Sequence, residues 1–226
     1  MQEPAFLFVH GAFHGPWCWE PVVSRLESRG VRCHCIELYR GGREADVAAI
    51  RAEIDLLASD GFAVVVVAHS LGCVSVSSLT PERIAHVVFL AGPLEGPGLP
   101  GPRECTTPDF MPSVTFGDGP SMTIDLDAAR DLFYHDCSRL DADAAIAKLR
   151  TNLSYGPRQA GPRPFHEIVP STYIWCDDDR AVRPVYQREV ALATRFREGL
   201  ATSHSPMLSA PDLLVAALER VVERLA

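Results

Sequence analysis

Short apolar runs alternate with stretches of helical periodicity along most of the chain. The run Val64 to Val67 is β-branched and apolar at every position, which is typical of a strand covered on both faces within a parallel sheet. Similar runs predict five strands and a weaker sixth, at residues 5–9, 31–38, 62–68, 86–91, 172–176 and 195–198.

Helical patterns fill the intervals between these runs. In residues 44–59, Ile50, Ile54 and Leu57 recur at spacings of three and four, which places them on one apolar stripe. Comparable patterns cover residues 16–29, 125–137, 141–153 and 211–225. Strands and helices that alternate in this way predict an α/β fold, with a mostly parallel sheet flanked by helices and right-handed crossovers.

One stretch interrupts the alternation. Residues 93–120 contain seven Pro and five Gly in 28 positions, and no regular element is expected to run through it because proline lacks a backbone donor and fixes φ. A second loop at 156–164 is again rich in Gly and Pro. We therefore expect a core formed by 1–92 and 169–226, with 93–168 inserted as a helical cap or lid.

Composition narrows the class of protein. The 226 residues are enough for one domain with an insertion, and 47% apolar with 22% charged residues is ordinary globular usage. A net charge of −8 argues against a nucleic-acid partner, which needs a basic surface. The longest strongly apolar run, residues 62–68, is far below the ~20 residues that span a bilayer, so no membrane association is expected.

The cysteines and the first four residues indicate the cellular compartment in which we expect the protein. The seven cysteines, an odd number with no CxxC spacing, argue against a disulfide framework and against a structural zinc site. Reduced thiols suggest the cytoplasm. Residues 1–4, Met-Gln-Glu-Pro, lack the basic region that opens a signal peptide.

The strongest chemical signal is the pentapeptide Ala68-His69-Ser70-Leu71-Gly72, which follows the all-apolar strand and opens a helix. It matches the nucleophile elbow G-x-S-x-G in the required context. A strand that reverses into a helix within one residue strains Ser70 and exposes its hydroxyl. The positions two before and two after must be small; Gly72 satisfies this, and Ala68 adds one methyl to the usual Gly. A Ser that merely caps a helix is the alternative.

Three further pieces are weak when taken alone. A tight turn at His10-Gly11-Ala12 can direct the Ala12 N–H, together with the Leu71 N–H, towards one oxyanion. The acidic run 177–179 follows a strand, where the functional edge of such a sheet lies, although a solvated turn would have the same composition. His204 lies on a late loop before the last helix. Taken together the pieces support one another, because they follow the chain order Ser, Asp, His that is typical of a catalytic triad with a nucleophile elbow.

Together these pieces resemble the α/β-hydrolase superfamily, in the branch of plant methyl-ester esterases, hydroxynitrile lyases and small bacterial esterases. The resemblance covers about 4–92 and 169–226, and it implies an α/β-hydrolase fold. It also implies a nucleophile, Ser70, a base, His204, and an acid, Asp179, with Asp177 as the alternative acid. The implied oxyanion donors are the amides of Ala12 and Leu71, and no metal or organic cofactor is required.

The resemblance predicts a serine hydrolase that cleaves a small carboxylic ester, thioester or lactone. Hydroxynitrile lyases carry Thr where this chain has Gly11 and Lys where it has Ser205, which favours an esterase. A cyclase or lyase of a biosynthetic pathway and, at lower weight, a ligand-binding receptor stay open as alternatives. The substrate and the oligomeric state are not encoded in any pattern.

Residues near the predicted site have plain structural alternatives. We expect His69 to pack rather than to react, and His14 to line the pocket or to cover the start of the first helix. Phe133 and Tyr134 are candidates for the substrate pocket, as is Gly11. Cap apolar residues suggest an apolar or aromatic substrate, or else form a small core of their own: Phe110, Met111, Phe116, Met122, Phe133 and Tyr134. His135 and Asp136 lack the further ligands that a metal site needs.

Overall fold

The computed structural model describes residues 2–94, 96, 98–100, 102–155 and 164–225. The strands are β1 (Pro4–Val9), β2 (Arg32–Ile36), β3 (Ala63–His69), β4 (His86–Leu90), β5 (Val114–Phe116), β6 (Ser121–Ile124), β7 (Asn152–Leu153), β8 (Ser171–Cys176) and β9 (Phe196–Leu200). The helices are α1 (Glu20–Glu27), α2 (Arg43–Ser59), α3 (Gly72–Val76), α4 (Pro102–Cys105), α5 (Leu126–Tyr134), α6 (Arg139–Ile146), α7 (Phe165–Ile168), α8 (Pro184–Ala191), α9 (Pro206–Ser209) and α10 (Pro211–Glu223).

Six strands form the main sheet in the order β2-β1-β3-β4-β8-β9, and every neighbouring pair is parallel. The α/β prediction is confirmed, and each predicted core strand appears within a few residues of its expected position. Because parallel strands end at the same edge, the loops after β1, β3, β8 and β9 are brought together there.

The pleat of the central strands explains why they are apolar throughout. Val64 and Val66 face one hydrophobic cluster with α2 and α8, whereas Val65 and Val67 face a second cluster with α1 and α10. Successive side chains of a strand point to opposite faces, and here both faces are covered by helices. Burial on both sides therefore requires an unbroken apolar run rather than alternation.

The segment between β4 and β8 differs in part from expectation. The helix predicted over 141–153 is wrong at its second half, because α6 ends at Ile146 and residues 152–153 form β7. Within the Pro- and Gly-rich stretch, α4, a 3₁₀ turn at Met111–Ser113 and β5 are formed. A small antiparallel sheet, β5-β6-β7, accompanies the helices.

These short strands escaped sequence analysis because each depends on a distant partner. β6 pairs with β7 through Met122 and Asn152, which are separated by a helical stretch. Of the loop predicted at 156–164, residues 156–163 lie outside the described residues, as do 95, 97 and 101 of the first loop. Within the described ranges, no helix combines the length and hydropathy needed to cross a bilayer.

Candidate active site

Ser70 stands on the sharp turn between β3 and α3. Its φ is +50°, in the left-handed region that residues with side chains rarely adopt. Its N–H donates to the Leu90 carbonyl at 3.0 Å, and its carbonyl accepts the Cys73 N–H at 3.0 Å. Bonds on both sides hold the strained residue at the carboxyl edge of the sheet, as the elbow pattern predicts.

Two glycines make room for this turn. A Cβ on Gly72 would lie 2.7 Å from the His10 carbonyl oxygen, which belongs to the backbone and cannot withdraw. A Cβ on Gly11 would lie 2.8 Å from Ser70 Cβ and 2.9 Å from Nδ1 of His69. The loop after β1 therefore approaches the elbow closely. Ala68, in contrast, is fully buried in the sheet, where its methyl is accommodated.

His204 and Asp179 lie together at the same edge. Nδ1 of His204 is 2.7 Å from Oδ2 of Asp179, and both side chains are buried. The carboxylate can only accept, so Nδ1 carries a proton, and a ring with that single proton presents an acceptor lone pair on Nε2.

The Asp179 carboxylate is saturated with donors. Oδ1 accepts the N–H groups of Ala181 and Val182, each at 2.8 Å, and Oδ2 also accepts Nε2 of Gln187 at 2.8 Å. Gln187 is itself buried and accepts the Cys176 N–H at 2.9 Å. Sequence analysis missed Gln187, since a lone glutamine on a helix carries no chemical signal.

The alternative acid, Asp177, faces elsewhere. It is exposed, accepts Nε1 of Trp175 at 3.1 Å and pairs with Arg188. Of the acidic run, the structure therefore brings Asp179 rather than Asp177 to His204.

Two rings enclose His204. Its ring centroid lies 4.6 Å from that of His69 and 5.5 Å from that of Phe133. His69 does more than pack, because its Nε2 lies 2.9 Å from the His204 carbonyl oxygen. Phe133 is buried and covers the His204 ring instead of facing open solvent.

Two backbone amides beside Ser70 have no protein acceptor within the part of the chain that the structure describes. They belong to Ala12 and Leu71, both partly exposed. Leu71 immediately precedes α3, and Ala12 lies on the loop after β1. An oxyanion beside Ser70 would require unpaired donors of this kind, on two elements that meet there.

His14 is buried next to this loop, with both ring nitrogens engaged. Nδ1 lies 2.7 Å from the Ala12 carbonyl oxygen, and Nε2 lies 2.7 Å from the Tyr134 hydroxyl. Burial lowers the pKa of His14 to about 3, with a smaller contribution in the same direction from neighbouring His204 and an opposing one from the bond to the Ala12 carbonyl. The neutral ring therefore donates from Nδ1 and accepts the Tyr134 proton at Nε2.

The segment between β4 and β8 reaches the loops that carry Asp179 and His204. Oδ2 of Asp136 accepts the Ser203 N–H at 2.7 Å, and Oγ of Ser203 donates to the Phe133 carbonyl at 3.0 Å. Nε2 of His135 lies 2.9 Å from the Asp178 carbonyl oxygen. The His-Asp pair considered as a weak metal motif thus binds backbone, and the described residues contain no metal-holding cluster of three or more His, Cys, Asp or Glu.

The fold and these contacts agree with a known protein family. A sequence profile described as the alpha/beta hydrolase family matches residues 6–217. The chain belongs to the alpha/beta hydrolase family.

Named relatives of this hydrolase are similar over nearly their whole length. Methyl jasmonate esterase 1 of Vitis vinifera is 28% identical, with 98% of each chain covered. The pyrethroid hydrolase of Sphingobium wenxiniae (strain DSM 21828 / CGMCC 1.7748 / JZ-1) is 26% identical, with 96% of this chain and 87% of that protein covered. Because these relatives are named esterases and hydrolases, we conclude that this hydrolase is an enzyme of the carboxylic-ester hydrolase class.

Solved structures agree on the fold. A crystal structure of a polyneuridine aldehyde esterase mutant superposes with a TM-score of 0.81 at 19% identity, covering 98% of this chain and 99% of that chain. The resemblance seen in the sequence motifs is therefore confirmed for the family and its fold.

Proposed function

We propose that this hydrolase cleaves a small carboxylic ester through an acyl-enzyme on Ser70, with His204 as base and Asp179 as the acid that orients it. The observation that carries the proposal is the 2.7 Å bond between Nδ1 of His204 and Oδ2 of Asp179. That bond fixes the tautomer that a general base needs. The strained conformation of Ser70 at φ +50° supports its assignment as nucleophile.

In the first half of the reaction, Ser70 Oγ attacks the acyl carbon while Nε2 of His204 takes the hydroxyl proton. The carbonyl oxygen becomes an oxyanion that accepts the N–H groups of Ala12 and Leu71. The C–O bond to the alcohol then breaks, and the alcohol leaves with the proton from His204.

In the second half, a water molecule attacks the acyl-enzyme and gives its proton to His204. The second oxyanion collapses, the bond to Ser70 Oγ breaks, and Ser70 recovers its proton as the acid leaves. Throughout, donors from Ala181, Val182 and Gln187 bind the Asp179 carboxylate and hold it in place beside His204.

We propose an apolar or aromatic substrate and a cap formed by residues 93–168. Phe133 lies 5.5 Å from the His204 ring, and Phe13 packs 6.5 Å from Phe133. Both belong to an apolar cluster whose partly buried members include Phe110 and Met122. Met111 and Phe116, in contrast, are about half exposed, at 49% and 56%. Gly11, His14 and Tyr134 would complete the wall of the pocket.

Hydrolysis fits the geometry better than cyanohydrin cleavage. Hydroxynitrile lyases are expected to carry Thr at the position of Gly11, but a Cβ there would meet Ser70 Cβ at 2.8 Å. The residue after the base is Ser205, which is buried and carries no charge.

We also propose a reducing, cytoplasmic environment, because all seven cysteines are free thiols.

The test is the intact mass of the protein after treatment with a small fluorophosphonate, followed by peptide mapping. We expect one adduct on Ser70, none in Ser70→Ala, and hydrolysis of p-nitrophenyl esters with acyl chains of two to eight carbons. Ser78→Ala is a matched control, since this half-buried serine lies beyond the end of α3 and its hydroxyl donates to the Val74 carbonyl at 3.0 Å.

Two results would contradict the proposal. One is a folded wild-type protein that gains no adduct and cleaves no ester faster than Ser70→Ala. The other is an adduct without ester turnover, which would favour a cyclase or lyase that uses the same nucleophile.

A further inference from the structure

The peptide unit between Gly11 and Ala12 is held from its carbonyl side. The Tyr39 hydroxyl donates to the Gly11 oxygen at 2.6 Å, and Nδ1 of His10 lies 2.9 Å from the same oxygen. Nε2 of His10 accepts the Leu38 N–H at 3.2 Å, so the ring proton is on Nδ1 and both groups donate to Gly11.

This arrangement also fixes the amide on the other side of the unit. The described residues contain no cis peptide bond, and in a trans unit the C=O and N–H are coplanar and point in opposite directions. Donors that hold the Gly11 carbonyl on one side therefore set the direction of the Ala12 N–H on the other.

Tyr39 adopts a rare backbone conformation to reach this carbonyl. Its φ is +69°, in the left-handed region that an aromatic residue seldom occupies. Strain of this kind persists only where surrounding contacts enforce it, and it is enriched at functional sites. Burial raises the pKa of the Tyr39 phenol well above its usual range, so the hydroxyl remains a donor at working pH.

The Tyr39 ring is clamped between two side chains. The Arg150 guanidinium lies 5.5 Å from the ring centroid, and the His10 ring lies edge-on at 5.3 Å. Arg150 is itself held by an ion pair with Glu37. Burial alone would raise the pKa of Glu37, but its contacts with His10 and Arg150 lower it to about 2.

Arg150 ties the same loop to the segment between β4 and β8. Its backbone N–H donates to the Phe13 carbonyl at 3.0 Å, and its Nε donates to the His14 carbonyl at 3.1 Å. The loop that carries Ala12 is therefore fastened from two sides, by Tyr39 after β2 and by Arg150 before β7.

We propose that Tyr39 is a positioning residue for the oxyanion hole: its hydroxyl holds the Gly11–Ala12 peptide so that the Ala12 N–H faces the reacting carbonyl, and Arg150 holds the Tyr39 ring in place. The inference rests on the proposed function, since it assigns the Ala12 amide a role in binding the oxyanion. Tyr39 itself does not touch the substrate.

The test compares Tyr39→Phe with wild type. Loss of a whole oxyanion donor costs about 10²–10³ in kcat; because His10 still holds the carbonyl, we expect about a tenfold fall in kcat, with KM within about twofold. An aryl boronic acid, whose tetrahedral adduct on the nucleophile places an oxygen in the hole, should bind weaker by the same factor. If Tyr39 had a purely structural role, the substitution would lower the melting temperature without a fall in kcat at nearly constant KM and without the matching loss of boronate affinity.

Tyr173→Phe is the matched control. The Tyr173 hydroxyl is buried and donates to the Gly92 carbonyl at the same 2.6 Å, so its loss removes the same type of bond without touching the Gly11–Ala12 unit. All rates are expressed per fluorophosphonate-titrated site. Should Tyr39→Phe fail to fold, Arg150→Met keeps an apolar stem over the ring and should show the same split at about threefold.

The outcomes separate the two proposals. An active wild type whose Tyr39→Phe variant keeps full kcat and boronate affinity overturns the role of Tyr39 and leaves the esterase intact. A wild type without ester turnover or Ser70 adduct overturns the esterase and, with it, the catalytic part of the Tyr39 assignment. Equal losses of kcat and of boronate affinity in Tyr39→Phe and Tyr173→Phe would show that Tyr39 has only a structural role.

Discussion

Nε2 of His69 lies 2.9 Å from the carbonyl oxygen of His204. A carbonyl can only accept, so Nε2 carries the proton, and Nδ1 is left buried without a hydrogen-bond partner among the described residues. Burial, with a further contribution from nearby His204, lowers the pKa of His69 well below its usual range. The residue before the proposed nucleophile thus stays neutral and binds the backbone of the proposed base.

His69→Phe should separate this bond from simple packing. The variant keeps a ring but leaves the His204 carbonyl unpaired, which should cost about 1–3 kcal/mol of unfolding free energy. We also expect kcat per titrated site to fall about 10- to 100-fold, because small displacements of a base are costly. Denaturant unfolding and ester kinetics measure the two effects.

His86→Phe provides the comparison for this experiment. His86 is also buried and bonds the Thr172 hydroxyl at 2.9 Å, but it begins β4 and therefore lies at the edge of the sheet opposite the elbow, which follows the end of the parallel strand β3. It should lose stability and keep kcat within about twofold. Full kcat in His69→Phe would refute the positioning role of His69.

Asp179→Asn tests the acid. The amide nearly preserves shape but no longer fixes the tautomer of His204, so we expect a loss of about 10³- to 10⁴-fold in kcat. Asp177→Asn is its control, because Asp177 is exposed and pairs with Arg188 at the surface. A large loss in Asp177→Asn together with near-normal rates in Asp179→Asn would reassign the acid.

Asp136→Ala tests whether the segment between β4 and β8 supports the base loop. Oδ2 of Asp136 accepts the N–H of Ser203, which directly precedes His204. Removing this acceptor should slow fluorophosphonate labelling about fivefold or more, since the loop is then less well placed. Asp143→Ala removes another exposed aspartate of the segment, one that pairs with Arg130, and should label at the wild-type rate.

Buried histidines predict how stability depends on pH. Burial lowers the pKa of His14 to about 3 and that of His86 to about 4, and it lowers the pKa of His69 well below the usual range. Below the ordinary pKa of about 6.5, the unfolded chain binds protons that the folded chain does not. Stability should therefore fall as the pH decreases from about 6.5, by about 1.4 kcal/mol per pH unit for each such histidine.

This dependence is best measured between pH 6.5 and 5, above the range where most carboxylates titrate. His86→Phe removes one of the three groups without touching the site, so its slope should be shallower by about one proton. An unchanged slope would mean that His86 is protonated in the folded state.

The core strands and the candidate catalytic motif could be predicted because their signals are local. β3 is apolar at consecutive positions since both of its faces are buried, and a short Gly-containing turn must follow if Ser70 is to form an elbow. The roles expected of Asp179 and His204 were inferred from their order along the chain after Ser70. These patterns were enough to identify the family and to predict its fold.

The contacts that hold the site could not be predicted in this way. Gln187 binds the Asp179 carboxylate from α8, and Arg150 clamps Tyr39 from a distance of more than one hundred residues along the chain. β7 forms only because β6 is beside it, and its own two residues carry no strand signal.

Periodicity and short motifs thus specified the parallel sheet, the turn at Ser70 and the chain order of the three proposed catalytic residues. Packing decided which aspartate meets His204, that His69 binds the backbone of His204, and that Tyr39 holds the Gly11 carbonyl. The physical reason is that burial and turn geometry constrain neighbouring residues and therefore leave a mark in the chain. A hydrogen bond between residues that are far apart in the chain constrains only how the two come together in space. It leaves no pattern among neighbouring positions, and the side chains that form it are of common types.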